Sequence, residues 1–221
     1  MTNDQRQDAP PPAVGFILAG GLASRMGGGD KSLIEAGGET MLARVVARLA
    51  GQCQTVVLNA NGDPARFAHF GLPVAADVVE GYCGPLAGVL TGLEWLRRCA
   101  PNRRWLLTVA ADTPLFPLDL ASRLASAAAT QGAEIAVARS GDRTHPAFGL
   151  WSVELAADLR RAIEQDGERR LNAWAKSRRL ATVAWPTTPY DPFFNVNTPE
   201  DAAELRRMLS NARIGDAGAS P

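Results

Sequence analysis

Residues 14–31 read VGFILAGGLASRMGGGDK, an apolar run that passes directly into a glycine-rich segment. The run Val14–Ala19 followed by Gly20-Gly21 is typical of a short buried strand. The segment after it carries five glycines together with Arg25 and Lys31. Glycines let backbone N–H groups approach a polyphosphate closely, and the two cations can bind phosphate oxygens. The stretch therefore predicts a phosphate-binding loop at the end of a first strand, with a flexible surface turn as the alternative.

This loop matches neither of two familiar phosphate-binding patterns. It departs from GxxxxGK[ST] because Asp30 precedes Lys31, and it lacks the spacing GxGxxG. No Ser/His/Asp or Cys/His arrangement is visible around Ser24, Ser32 or Cys83. That pattern fits phosphoryl-type transfer, in which catalysis depends mostly on positioning and charge neutralisation.

Apolar runs and helical stripes alternate along the rest of the chain. The pattern predicts strands at 14–19, 55–59, 105–111, 134–138, 148–151 and 182–185, and helices at 41–50, 85–100, 117–132, 153–165 and from 198. We expect a single Rossmann-like α/β domain over residues 14–209, with a mostly parallel sheet and helices on both faces. Residues 1–13 and 210–221 are predicted to be flexible tails. Such a sheet binds ligands at the carboxyl ends of its strands.

Composition excludes several classes of protein. The 221 residues hold 23 basic and 23 acidic side chains, so the chain lacks the basic field of a general nucleic-acid binder. Three cysteines without CxxC spacing indicate neither a disulfide framework nor a zinc site. No apolar run is long enough for a membrane span, and the polar, proline-rich N-terminus is not a secretory signal. We expect a cytoplasmic protein.

Polar side chains lie at the ends of two predicted strands and after one further apolar stretch. Asp112 ends the strand 105–111, where a carboxylate can hold a Mg²⁺ ion that bridges phosphates. Asp77 follows the apolar stretch 72–76, and Asn59 ends the second strand. Each residue also suits an ordinary turn or loop, so both interpretations stay open.

The second half of the chain holds further candidates. His145 lies in a polar loop before a strand, whereas His69 lies beside two phenylalanines and is expected to pack. The basic stretch that contains Arg169 is either a solvated helix face or a contact for an anionic substrate. Asn195 and Asn197 lead into the last helix, for which Thr198 is the predicted N-cap.

The order of these motifs resembles a known family. The pattern LAGG-x4-MGG-x-DK at residues 18–31 is similar to the signature of molybdenum cofactor guanylyltransferases, within the nucleotidyltransferase superfamily. The resemblance covers about residues 14–209. It is supported by VLNAN at 57–61, GPLAG at 84–88, DTP at 112–114, HP at 145–146, GERR at 167–170 and NVNTPED at 195–201.

The resemblance implies a nucleotide-diphospho-sugar transferase-like fold and transfer of GMP from GTP to molybdopterin. It implies that the N-terminal part binds GTP through Leu18, Ala19, Gly20, Gly21, Lys31, Asn59, Asp77 and Asp112, with Asp112 also holding Mg²⁺. Arg25, Lys31 and Asp112 would be catalytic. The C-terminal part would face the pterin through His145, Arg169, Asn195 and Asn197.

Two alternatives and several partners accompany this hypothesis. A cytidylyltransferase of the same superfamily would use the same loop, and a nucleotide-sensing module would bind without turnover. We expect a monomer that works with molybdenum-insertion and molybdoenzyme-maturation proteins, without nucleic acid or membrane.

Overall fold

Seven parallel and antiparallel strands build the central sheet of the protein. The computed structural model describes residues 13–19, 33, 35–79, 81 and 84–217. Within these residues the strands are β1 (Ala13–Leu18), β2 (Glu35–Ala36), β3 (Glu39–Thr40), β4 (Thr55–Asn59), β5 (Val74–Ala75), β6 (Trp105–Ala110), β7 (Ile135–Ser140), β8 (Arg143–Ser152) and β9 (Leu180–Trp185). The helices are α1 (Met41–Ala50), α2 (Pro85–Cys99), α3 (Leu120–Gln131), α4 (Ala156–Glu164), α5 (Leu171–Lys176) and α6 (Pro199–Ala217). Two 3₁₀ helices cover Pro64–Phe70 and Val153–Leu155.

The order of the sheet is β5-β4-β1-β6-β8-β7-β9. Strand β8 pairs antiparallel with both β6 and β7, and every other pairing is parallel. The carboxyl ends of the six parallel strands therefore lie at one edge of the sheet, where the amino end of β8 joins them. We call this the carboxyl edge.

Helices cover both faces of the sheet because successive strand side chains point to opposite sides. Ile17 and Leu107 pack with α1 and α3, whereas Phe16 and Leu106 pack with α2, α4 and α5. The apolar stripe of α1 is buried, and the Thr40 hydroxyl caps the helix by accepting from the Ala43 amide at 3.1 Å. This arrangement confirms the predicted α/β class.

A third cluster joins the C-terminal helix to the hairpin β2–β3. Ala36 and Met41 are buried against Val196, Ala202 and Leu205. The Arg44 guanidinium donates to the Ala36 and Gly37 carbonyls, which holds the hairpin against α1. The hairpin β2–β3, which follows the glycine-rich segment in the chain, is therefore held both by α1 and by the C-terminal helix.

Several element boundaries differ from the sequence prediction. Strand β8 starts at Arg143, five residues before the predicted 148, because its first residues pair with β7 through a register shift at Val137/Ala138. The predicted helix 153–165 begins as a 3₁₀ turn, in which the Ser152 hydroxyl accepts from the Glu154 amide. Helix α6 continues to Ala217, beyond the predicted start of the tail at 210; no proline follows Pro199 within it, and Gly215 lies in its last turn. Residues 1–12 of the predicted N-terminal tail lie outside the described residues. Its last residue, Ala13, begins β1.

Candidate active site

The carboxyl edge brings together the predicted residues of three strands. Leu18 is in register with both Asn59 and Ala110. The Ala19 amide donates to the Asn59 carbonyl at 2.9 Å, and the Ala111 amide donates to the Leu18 carbonyl at 3.1 Å. The sheet ladder thus continues one residue beyond each strand. Leu18, Ala19, Asn59 and Asp112 consequently lie side by side, which is the place where this class of sheet binds ligands.

The predicted loop residues Gly20, Gly21, Arg25 and Lys31 lie outside the described residues. Ala19, which precedes them, and Leu33, which lies two residues after Lys31, are described. The segment leaves the sheet at Ala19, beside Asn59, and the chain is described again continuously from Glu35. The loop therefore starts at the carboxyl edge, next to the strand ends that carry Asn59 and Asp112.

Asp77 is held by two asparagine side chains. The Asn59 amide donates to Asp77 Oδ1 at 2.9 Å, and the Asn61 amide donates to Asp77 Oδ2 at 2.8 Å. Asn61 Oδ1 also accepts from the Asp77 backbone amide at 2.8 Å. Both carboxylate oxygens thus point in fixed directions, although Asp77 itself is only partly buried. We call Asn59, Asn61 and Asp77 the amide–carboxylate clamp.

Helix α2 approaches the clamp through a glycine. A Cβ atom placed on Gly88 would lie 2.7 Å from Asn59 Oδ1 and 2.7 Å from Leu18 Cδ2, closer than real contacts allow. The helix starts at Pro85, whose missing N–H costs nothing at this position. Thr91 adds a link, because its hydroxyl accepts from the Val78 amide at 3.1 Å. The α2 N-terminus is therefore fixed against the edge that carries the clamp.

Asp112 joins the two halves of the site. Its backbone carbonyl accepts from the Val196 amide at 2.9 Å, and the Val196 side chain is fully buried. Asn195 and Asn197 flank this anchored residue and are exposed. The predicted pterin-side asparagines are therefore held close to the backbone of the predicted metal ligand.

The start of α6 forms a reciprocal cap next to these asparagines. The Asp201 carboxylate accepts from the Asn197 amide at 2.8 Å and from the Thr198 amide at 2.9 Å. The Thr198 hydroxyl accepts from the Asp201 amide at 3.1 Å. This is the capping-box arrangement, and it agrees with the predicted N-cap at Thr198.

A second polar group lies at the ends of β7 and β8. The Ser140 hydroxyl is 2.7 Å from His145 Nε2 and donates to Asp191 Oδ2 at 3.1 Å. The His145 ring stacks on Phe193, with ring centroids 4.7 Å apart. Burial lowers the pKa of His145; Asp191 opposes this effect and Arg143 adds to it. The net shift in pKa favours the neutral form of the ring.

Arg169 lies on the loop before α5. Its guanidinium donates to the Ile163 and Glu168 carbonyls, and its side chain is exposed. Hydrogen bonds from the Arg170 and Arg169 amides lower the pKa of the Glu168 carboxyl. Asn172, in the first turn of α5, is 3.4 Å from the Thr144 hydroxyl. Helix α5, which follows the loop that carries Arg169, thus contacts β8 at the residue before His145.

The sequence interpretation missed several residues of the site. Asn61 had a signal, because it stands two positions after Asn59 in the same short motif. Ser140 and Asp191 had none, because 51 positions separate them and only the fold brings them together. His69 differs from the expected packing role, because it is exposed on the 3₁₀ helix and, among the described residues, its ring contacts only that of its chain neighbour Phe70, with centroids 4.0 Å apart.

Two features, a metal-binding cluster and a membrane-spanning helix, are absent from the described residues. These residues contain no group of three or more His, Cys, Asp or Glu side chains arranged to hold a metal ion. Within the same part of the chain, no helix has the length and apolar character needed to cross a bilayer.

Comparisons with known proteins show the family to which the chain belongs. A family model described as a MobA-like NTP transferase domain matches residues 15–182. A molybdenum cofactor guanylyltransferase of Nitrobacter hamburgensis is 53% identical over 200 residues, which cover 90% of this chain and 96% of that protein. The protein of the same name from Rhodopseudomonas palustris is 54% identical over 198 residues, covering 90% and 94%.

Solved structures support the fold. The crystal structure of molybdopterin-guanine dinucleotide biosynthesis protein A from Archaeoglobus fulgidus superposes with a TM-score of 0.69 at 20% identity, covering 90% of this chain and 99% of that one. A Mycobacterium tuberculosis protein crystallised with manganese gives 0.62 at 20% identity, covering 88% and 98%.

The family match and the named relatives identify the chain as a nucleotidyltransferase, and its α/β fold agrees with that class. The chain belongs to the MobA-like NTP transferase family, and its similar relatives are molybdenum cofactor guanylyltransferases. The resemblance found in the sequence is thereby confirmed. The assignment of individual site residues remains a prediction.

Proposed function

We propose that this protein transfers GMP from GTP to molybdopterin and releases pyrophosphate. The observation that carries the proposal is the carboxyl edge itself, where the clamp and Asp112 lie beside the start of the glycine-rich segment. The 53–54% identity to molybdenum cofactor guanylyltransferases over nine-tenths of the chain supports the same reaction. A cytidylyltransferase activity is not favoured by these relatives.

The reaction joins two anions. An oxygen of the terminal molybdopterin phosphate attacks the α-phosphorus of GTP, and the bond from that phosphorus to the β-phosphate oxygen breaks. The attacking oxygen is already anionic, so no side-chain base has to remove a proton. The protein must instead offset repulsion and stabilise the leaving pyrophosphate. Lys31 and Arg25, predicted in the phosphate loop, would supply that positive charge.

Asp112 would hold the metal ion. Its carboxylate follows β6 at the carboxyl edge, and Mg²⁺ is commonly held by one or two carboxylates together with substrate phosphates. A single carboxylate at this position therefore fits the donor chemistry of Mg²⁺. A bound Mg²⁺ would neutralise phosphate charge in the transition state. The manganese in the Mycobacterium tuberculosis neighbour is consistent with a divalent ion in this fold.

The two substrates would meet across Asp112. GTP would bind along Leu18, Ala19 and the clamp, with Gly20 and Gly21 approaching the phosphates. The pterin would lie on the opposite side, towards Asn195, Asn197, His145 and Arg169. We further propose a monomeric cytoplasmic enzyme that passes its product to molybdoenzyme-maturation proteins.

Substitution of Asp112 tests this assignment. We expect Asp112→Ala to lose at least about 100-fold in guanylyl transfer at saturating Mg²⁺, because a phosphate-bound ion would lose its protein ligand. The control is Glu154→Ala, which removes an exposed acid after the carboxyl end of β8, at the opposite edge of the sheet. Near wild-type turnover by Asp112→Ala would contradict the metal assignment.

A further inference from the structure

The polar group at the ends of β7 and β8 has a fixed order of donors and acceptors. Asp191 Oδ1 accepts from the Phe193 amide at 2.9 Å, and Asp191 Oδ2 accepts from the Ser140 hydroxyl at 3.1 Å. A carboxylate has no proton to give, so the single Ser140 proton is committed to Asp191. Ser140 Oγ is then left as an acceptor towards His145 Nε2, 2.7 Å away.

This order determines where the imidazole carries its proton. A neutral histidine has one N–H and one lone pair, and here Nε2 has to be the donor. Nδ1 is then the acceptor. Among the described residues, no hydrogen bond reaches Nδ1. Nδ1 is also absent from the fully buried polar atoms that lack a partner, so it keeps some exposure to solvent. A lone pair is therefore available to a ligand.

The His145 ring packs against the segment that carries the predicted pterin-side asparagines. His145 stacks on Phe193, two residues before Asn195, and Val196 in the same segment is bonded to the Asp112 carbonyl. His145 as a residue is only 8% exposed, so packing restricts the orientation of its ring. An acceptor atom at this place suits an N–H or O–H group, whereas a phosphate offers no such donor when ionised.

We propose that Ser140 and Asp191 are positioning residues that fix His145 as the Nε2–H tautomer, so that Nδ1 accepts a hydrogen bond from an N–H or O–H group of the acceptor substrate. The proposal rests on the proposed function, because it assigns this contact to the molybdopterin side of the reaction. It excludes a role for His145 as a cationic contact to phosphate.

Substitution of Asp191 by asparagine would reverse the direction of the hydrogen bonds from position 191 through Ser140 to His145. The Phe193 amide still requires an acceptor, so the asparagine oxygen keeps the Oδ1 position and its NH₂ group faces Ser140. Ser140 then accepts from position 191 and donates to Nε2. His145 becomes the Nδ1–H tautomer, and its acceptor atom becomes a donor. Ser140→Ala removes the connection altogether and leaves both tautomers populated.

The tautomer can be measured directly by ¹⁵N NMR of histidine-labelled full-length protein. The chain has two histidines, so His69→Gln leaves His145 as the single signal. We expect a protonated Nε2 in the otherwise unchanged protein and a protonated Nδ1 in Asp191→Asn. A protonated Nδ1 before that substitution would overturn the proposal, whether or not the protein transfers GMP.

Steady-state kinetics test the contact with substrate. We expect Asp191→Asn to raise the KM for molybdopterin about tenfold, with the KM for GTP and kcat within about twofold, since one acceptor is lost on one substrate. Ser140→Ala should raise the same KM by a smaller factor. An unchanged molybdopterin KM in both variants would overturn the proposal.

Failure of the proposed function would give a different experimental result from failure of the tautomer proposal. Absence of guanylyl transfer by the unsubstituted protein would reject the function while the NMR result still reports the network. If Asp191→Asn does not fold, Ser140→Ala provides both readouts, because it deletes one hydroxyl and leaves the Phe193–Asp191 contact in place.

Discussion

Asn61 illustrates how a residue can act on a substrate site through its neighbour. It makes two hydrogen bonds with Asp77, one to the carboxylate and one from the backbone amide. Hydrogen bonds to charged groups contribute about 1.5–3 kcal/mol each when both partners are in place. The direction of the Asp77 carboxylate therefore depends on a residue that need not contact the nucleotide.

Asn61→Ala tests that dependence. We expect the KM for GTP to rise about tenfold, because Asp77 loses one of its two amide donors and is free to rotate. Asn61→Asp should be worse, since a second carboxylate would repel Asp77 at the same distance. Asn102→Ala, in the exposed turn before β6, is the control. Equal KM values for Asn61→Ala and this control would contradict the role of the clamp.

His145 predicts a pH dependence of stability. Its pKa is lowered in the folded state, so between the folded and unfolded values the unfolded chain binds more protons. The contribution is present above about pH 6.5 and is lost as the pH falls through the folded pKa. We expect denaturant titrations to show a greater loss of stability on acidification for the unsubstituted protein than for His145→Gln.

The control for this pH prediction is His69→Gln, which removes the other histidine from the exposed surface of a 3₁₀ helix. This variant should keep the pH slope of the unsubstituted protein. The prediction fails if His145→Gln and His69→Gln have the same slope.

At the level of elements, α2 depends on close contact with the sheet. We expect Gly88→Ala to lower the free energy of unfolding by about 1–3 kcal/mol, because the added methyl group meets Leu18 and Asn59. GTP binding should weaken as well, since Asn59 holds Asp77. Chemical denaturation and equilibrium GTP titration measure the two effects.

Gly51→Ala is the matched control for Gly88→Ala. Gly51 ends α1 with ordinary right-handed backbone angles, and an added Cβ would meet its nearest neighbours at 3.8 Å. Its stability and GTP affinity should stay close to those of the unsubstituted protein. Equal effects of the two substitutions would show that close packing at Gly88 is not the cause.

Local patterns predicted some elements well because the determinant was local. The apolar run at Thr55–Asn59 is the strand β4, and the start of α2 at Pro85 follows from the proline. No local sequence signal predicts that β8 lies antiparallel between β6 and β7. The order of strands in a sheet depends on contacts between residues far apart in the chain. The two-residue strands of the hairpin β2–β3 are too short for any periodicity.

The same distinction applies to the site. Asn59 and Asp112 were predicted at the sheet edge because each directly ends or follows an apolar strand, and the structure places both there. Ser140 looked like an ordinary strand end. Its partners His145 and Asp191 come from β8 and from the loop after β9, so only the assembled sheet defines the network.

At the scale of the whole molecule, the net charge is zero, so we expect local charges to bind the anionic substrates. Only two of its 23 basic residues are lysines, Lys31 and Lys176, and Lys31 falls in the predicted phosphate loop. A compact ammonium and a planar guanidinium bind phosphates with different geometry. We expect Lys31→Arg to reduce guanylyl transfer by at least about tenfold, whereas Lys176→Arg, on the exposed end of α5, should leave it unchanged. Unchanged transfer by Lys31→Arg would contradict this role.

We expect this nucleotidyltransferase to use GTP and molybdopterin as its substrates. Mass spectrometry of the products formed with equal GTP and CTP, Mg²⁺ and molybdopterin tests it most directly. The predicted result is the guanine dinucleotide of molybdopterin with one pyrophosphate per product. A predominant cytosine dinucleotide, or bound nucleotide without pyrophosphate release, would contradict it.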